Sequence, residues 1–160
     1  MQIISYKKIS IQDRQLLLAT KKVSERSVTL KKHKVGCIIM CTDGSTYQGA
    51  TTTRTRAIGS TCAERMALDQ WYFKHPKKDP AICYLVGTFD RESWQDNFIC
   101  TPCGVCLEMF LELLIQRKLK KLKFMCGNWK LSKVLIADLS ELFPQFGKGG
   151  WPYAKNIGGR

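Results

Sequence analysis

Two short segments of the chain carry residue types that could together run hydrolytic chemistry. Thr61-Cys62-Ala63-Glu64-Arg65 and Thr101-Pro102-Cys103-Gly104-Val105-Cys106 each place cysteine just after a loop, at the expected start of a helix. A helix N-terminus carries about half a positive charge and free N–H groups, so it favours thiolate over thiol. Cys103 and Cys106 stand at i and i+3, which brings both sulfurs to one side of a turn. Cys62 can supply a third sulfur from the other helix start. Three thiolates suit tetrahedral Zn2+ with the fourth position left for water, the arrangement of a catalytic zinc. Glu64 can approach the same site without being a ligand. A carboxylate there can take a proton from water and pass it to a substrate nitrogen. Three thiolates around Zn2+ leave a net charge of about −1, which the helix dipoles and Arg65, if it turns toward the sulfurs, would partly offset.

Other ligand sets compete for the same residues. Cys100, Cys126 or His33 as a fourth ligand would close the zinc site and leave Glu64 without a role. The run Cys100-x-x-Cys103-x-x-Cys106 resembles part of an iron–sulfur ligand set but lacks the rest of that spacing. Cys37, Cys41, Cys83 and Cys126 fall in expected strands, where cysteine behaves as a small buried apolar residue.

The elements that must hold these residues can be read in order. Ile11–Arg26 has helical spacing, with Ile11, Leu17, Leu18 and Val23 as its apolar stripe. Val35–Cys41 reads as a buried strand, Asp43-Gly44 as a tight turn and Thr46–Thr52 as the partner strand. Thr61 is the expected N-cap of a helix running to Lys74, with Glu64 three residues on and His75-Pro76 ending it. Ala81–Thr88 is a further strand, followed by a polar loop over Phe89–Thr101. Cys103–Arg117 is helical, with Leu107, Phe110, Leu111 and Leu114 on one face. Leu122–Cys126 and Val134–Ala137 are short strands, and Leu139–Phe143 a last helical turn. A hairpin followed by β-α alternation implies a three-layer α/β/α sandwich on a mixed five-stranded sheet, and no linker interrupts residues 1–160, which reads as a single domain. Trp71, Tyr72 and Phe73 are expected in the core or a subunit contact, and His75 in a structural role.

The paired segments resemble the signature of zinc-dependent cytidine deaminases, the pattern (His/Cys)-x-Glu…Pro-Cys-x-x-Cys in its three-cysteine form. Val35-Gly36, the Asp43-Gly44 hairpin, Cys62-Ala63-Glu64-Arg65 and Glu141-Leu142-Phe143-Pro144 keep the family's order, so the resemblance covers roughly residues 11–146. It implies one Zn2+ per subunit on Cys62, Cys103 and Cys106, Glu64 as proton shuttle, and Arg65 hydrogen-bonded to the ligand thiolates. The implied reaction is hydrolytic deamination of a cytosine nucleoside or a modified derivative, yielding the uracil form and ammonia. The substrate positions depart from the pattern. The family's ribose-gripping Asn-x-Glu is here Thr51 and Thr53, its base-pocket aromatic is His33, and its Arg-Gln after the last cysteine is Leu107-Glu108. Ala63, between ligand and shuttle, is a further candidate for substrate binding. Arg54 and Arg56 share the loop with the two threonines and could meet an anionic group. By resemblance the chain assembles as a dimer or tetramer, and Phe146 lies where the family places an aromatic near the active site.

Composition bounds the rest. The chain has 160 residues, 44% hydrophobic and 10% aromatic, enough for one core and unlike a disordered segment. No run approaches the ~18 apolar residues of a membrane span, and Met1–Ser10 lacks a signal-like apolar stretch. The eight cysteines are therefore expected as free thiols or metal ligands in a reducing cytoplasm. Twenty-six Lys and Arg against 13 Asp and Glu give a charge of +13. That charge keeps a second function in view, deamination of single-stranded nucleic acid; a non-catalytic zinc-binding relative is the third. The basic residues are dispersed along the sequence, and only the fold can show whether they converge.

Overall fold

Alternation along a single strand decides how the layers assemble. In β2 (Lys34–Cys41), Val35, Cys37, Ile39 and Cys41 pack on one side with Ala67, Leu68, Phe110 and Leu111, while Ile38 packs on the other with Leu17 and Val23. The first side belongs to α2 (Ala63–Lys74) and α3 (Gly104–Arg117), the second to α1 (Ile11–Ser24). The strand is thus covered on both faces, and its apolar run is almost continuous. The computed structural model describes residues 1–29, 33–53, 60–74, 78–90, 92 and 94–143.

The other strands are β1 (Gln2–Ser5), β3 (Thr46–Ala50), β4 (Pro80–Thr88), β5 (Lys123–Gly127) and β6 (Lys133–Asp138), and a short α4 covers Leu139–Leu142. They form a mixed sheet in the order β1-β6-β5-β4-β2-β3, parallel between β4 and β5 and antiparallel elsewhere. This is the expected three-layer α/β/α sandwich, with six strands instead of five. The extra strand, β1, has four residues and pairs with β6 from the opposite end of the chain, Ser5 facing Lys133. No local pattern announces so short an edge strand.

The hairpin forms as expected. Gly44 takes the left-handed conformation (φ 83°), its N–H reaches the Cys41 carbonyl at 3.0 Å, and Asp43 Oδ1 accepts from the Ser45 N–H at 3.0 Å.

The buried face of α1 differs from the expected stripe. Leu17, Thr20, Val23 and Ser24 are buried, whereas Ile11 is 67% and Leu18 46% exposed. The cause is Gly36: a Cβ there would lie 2.3 Å from the Thr20 carbonyl oxygen and 2.7 Å from the Ser24 nitrogen. Backbones this close leave room only for small residues, and the helix turns its Thr/Ser side inward. Both hydroxyls are satisfied locally, Thr20 Oγ1 donating to the Leu16 carbonyl (2.7 Å) and Ser24 Oγ to that of Lys21 (2.6 Å).

The same device places α2. A Cβ on Gly49 of β3 would lie 2.1 Å from the Ala63 carbonyl oxygen and 2.6 Å from the Ala67 nitrogen, both backbone atoms that cannot swing aside. The first turn of α2, with Cys62 and Glu64, therefore rests directly on the sheet. Trp71 is buried as expected, while Phe73 stays 85% exposed. We predict that Gly49→Ala lowers unfolding free energy by about 1–3 kcal/mol, the usual cost of overpacking, and weakens zinc retention by lifting α2. Denaturant melts with zinc analysis check this; unchanged stability and zinc content would contradict it.

Candidate active site

Helix α2 starts one residue later than the sequence pattern suggests. Thr61 is not its N-cap, because its backbone is occupied by a two-way bridge to Thr52, with N···O distances of 2.8 and 3.0 Å. Cys62 takes that position, its carbonyl accepting from Met66 N at 3.1 Å. Cys103 does the same for α3, accepting from Leu107 N at 3.0 Å with extended backbone (φ −73°, ψ 165°). Its sulfur makes no capping bond to its own helix. Two helices thus end on cysteine, and Cys106 adds a third sulfur from the first turn of α3.

The three sulfurs lie within 4.8 Å of one another, with Cys62–Cys103 at 3.9 Å and Cys103–Cys106 at 3.5 Å. Tetrahedral zinc with Zn–S bonds of ~2.3 Å needs sulfurs ~3.8 Å apart. The donor set fits Zn2+ in chemistry and spacing. Among the described residues no fourth ligand joins the cluster. Cys100 is buried and faces Gly87, whose Cβ position lies 3.0 Å from its sulfur. Cys126 lies in the core, and His33 Nε2 is in hydrogen-bonding contact with Thr53 Oγ1 at 3.0 Å. Cys106 is buried, Cys62 half-buried and Cys103 exposed, so the cluster opens toward solvent on one side.

The electrostatics divide the three thiols. Hydrogen bonding from Cys106, then from Cys103, outweighs burial and brings Cys62 down to about 6, with Arg65 adding a favourable charge. Cys106 moves the other way, raised by its bond to Cys62 and by burial. Glu64, the second residue of α2 and 4% exposed, is pushed up to about 7, chiefly by burial and further by the Cys62 charge. Burial likewise raises the Cys37, Cys100 and Cys126 thiols, as befits inert core residues.

A family model, the cytidine and deoxycytidylate deaminase zinc-binding region, matches residues 10–125. The chain belongs to this family. The solved cytidine deaminase of Burkholderia pseudomallei superposes with a TM-score of 0.64 at 20% identity, covering 84% of this chain and 96% of that one. That of Mycobacterium leprae gives 0.63 at 20% identity over 86% and 100%, and that of Bacillus anthracis 0.62 at 20% over 91% and 93%. At these identities the likenesses establish the fold. No curated protein matches the chain. The family and the sulfur cluster together make Cys62, Cys103 and Cys106 the site for one Zn2+.

The structure describes three of the anticipated substrate residues by their backbone contacts and burial. Thr51 N donates to the Val35 carbonyl at 3.0 Å, Thr53 N to that of Val28 at 2.7 Å, and Ala63 is fully buried. Arg54 and Arg56 lie outside the described residues, as do His75 and Phe146. The expectation of a polar loop after β4 needs correction. His33 stacks on Phe89 (centroids 6.0 Å, 21°), Phe89 meets Trp94 edge-on at 4.6 Å, and Trp94 meets Phe98 at 5.7 Å. This aromatic ladder has no helical or strand period, and its spacing gave no signal. No described helix is long and apolar enough to cross a membrane.

Zinc uptake must displace at least the Cys106 proton, because that thiol arrives protonated at neutral pH while Cys62 is already ionised at pH 7.5. Affinity should therefore rise with pH, about tenfold per unit for each proton released. Calorimetry in buffers of different ionisation enthalpy checks this. An enthalpy independent of buffer would contradict it.

Proposed function

We propose that the protein is a hydrolase that deaminates a cytosine nucleoside or a modified derivative, giving the uracil form and ammonia. The observation that carries this reading is the Glu64 carboxyl, buried in the first turn of α2 beside three sulfurs that leave one side open. Zn2+ on those sulfurs supplies an open coordination position at which a water becomes acidic near neutral pH. In the metal-free site burial raises the Glu64 carboxyl to about 7, toward the range a proton shuttle needs. As carboxylate it takes one proton from the attacking water and, as acid, delivers it to the ring nitrogen; it then takes the second proton, from the hydroxyl now on C4, and delivers it to the departing amine. The C4–O bond forms, the C4–N bond breaks and ammonia leaves.

His33 and Thr53 form one unit, held at 3.0 Å, at the positions where the family resemblance puts base and ribose contacts. We assign them, with Thr51 and Ala63, to substrate binding, Arg65 to offsetting the ligand charge, and Arg54 and Arg56 to an anionic substituent. Assembly as a dimer or tetramer, and a reducing cytoplasmic setting that keeps the eight cysteines free, belong to the same reading.

The test is ammonia release from cytidine, deoxycytidine, CMP, cytosine and a cytosine-bearing antibiotic by zinc-loaded protein. Glu64→Gln should lower kcat/KM on the accepted substrate by about 10²–10⁴. The same change should leave the zinc-free fold more stable. A buried carboxyl titrating near 7 instead of 4.5 opposes folding increasingly as pH rises between those values, by up to about 3 kcal/mol above pH 7. Equal turnover by wild type and Glu64→Gln would sink the reading.

A further inference from the structure

The lysines are scattered in sequence, and the fold gathers some of them. β1 and β6 pair so that Ser5 lies opposite Lys133, and Tyr6 N donates to the Ser132 carbonyl at 3.0 Å. The 3-10 turn Tyr6–Lys8 thereby brings Lys7 and Lys8 beside the β5–β6 turn, which carries Trp129 and Lys130. From α1, the Arg14 carbonyl accepts the Tyr6 hydroxyl at 2.8 Å. Two turns on, Lys21 Nζ donates to the Trp129 carbonyl at 2.6 Å and sits 4.5 Å from the centre of its ring. Six cations from three segments thus surround one end of the β1–β6 edge.

They are not neutralised. The ion pairs among the described residues are Lys34–Glu25, Arg117–Asp79 and the N-terminus with Glu141, none of which includes any of the six. Asp96 approaches this end through its carbonyl, which accepts from Asn128 Nδ2 at 3.3 Å, and pairs with none of them. Arg14 Nε is buried with no hydrogen-bond partner. Gathered like charges destabilise a fold by self-repulsion unless an anion offsets them. Lys21 is half-buried against Trp129, while Lys7, Lys8, Lys130 and Lys133 around it are exposed.

We infer that this edge binds single-stranded nucleic acid, its phosphates held by the exposed Lys7, Lys8, Lys130 and Lys133 and its unpaired bases meeting the half-buried Tyr6 and Trp129 among them. Interleaved basic and aromatic side chains are the chemistry of such surfaces, because every base offers a face for stacking. The edge also lies at the zinc end of the sheet. Asn128, next to Trp129, bridges Ile99, and Ile99 is four positions before Cys103, at most about 14 Å of chain. At the other end of the sheet, Lys118, Lys120 and Lys121 are equally exposed, but Arg117 beside them is neutralised by Asp79 at 2.7 Å. The inference goes beyond the deaminase reading and holds whichever cytosine compound is turned over.

The experiment titrates labelled oligothymidylate, which contains no cytosine, against the full-length zinc-loaded protein by fluorescence anisotropy at several salt concentrations. Affinity should fall with salt, log K losing about 0.7 per decade for each phosphate neutralised. K7E/K130E/K133E, three exposed positions, should weaken binding about tenfold or more and flatten that slope. K118E/K120E/K121E, the same charge change at the other end, should stay within about twofold. Circular dichroism and nucleoside turnover should be unchanged in both variants. No binding by wild type, equal loss in the two variants, or tighter binding of duplex DNA or phosphatidylserine vesicles would overturn the inference.

Discussion

The structure depends on two helices that each begin on a cysteine at the same point. Cys62 and Cys103 hold N-cap positions normally filled by Ser, Thr, Asp or Asn, and the Cys103 side chain makes no capping bond to α3. At the start of α2 the Cys62 sulfur, whose pKa is brought down to about 6, supplies negative charge that the helix dipole favours. The helices therefore gain from the cluster, and the cluster from the helices. Metal bound there should be coupled to the fold as well as to chemistry.

The rest of the architecture holds those two helix ends in register. Gly49 lets α2 rest on β3 at backbone contact, and the Thr52–Thr61 bridge ties the residue before Cys62 to the end of β3. On the α3 side, Asn128 is fully buried and fully used. It donates to the Asp96 carbonyl and Ser132 Oγ and accepts from the Ser132 and Lys133 N–H groups, fixing the segment that leads to Cys103. Neither anchor does chemistry; they hold the chain on either side of the cluster.

How much of this was legible in the sequence follows from locality. Cys62-x-Glu64 and Cys103-x-x-Cys106 are short motifs whose spacing alone places their side chains, and the structure brings them together. The Asp43-Gly44 hairpin and the two-sided apolar run of β2 are local in the same sense. Partners that meet only in three dimensions were not legible. β1 pairs with a strand from the far end of the chain. The inward face of α1 is decided by Gly36 on another element. The His33–Phe89–Trp94 ladder joins a strand end to an aperiodic loop, and the lysines converge only once β1 lies beside β6. Thr61 misleads for a related reason: a long-range bridge takes the backbone that a cap would need.

A zinc held by three sulfurs, with one position open beside Glu64, is what the chemistry requires. X-ray absorption at the zinc edge of the loaded protein tests this most directly. It should show three sulfurs at about 2.3 Å and one oxygen at about 2.0 Å. A shell of four sulfurs, or of three sulfurs and an imidazole nitrogen, would mean a closed structural site and would contradict the account.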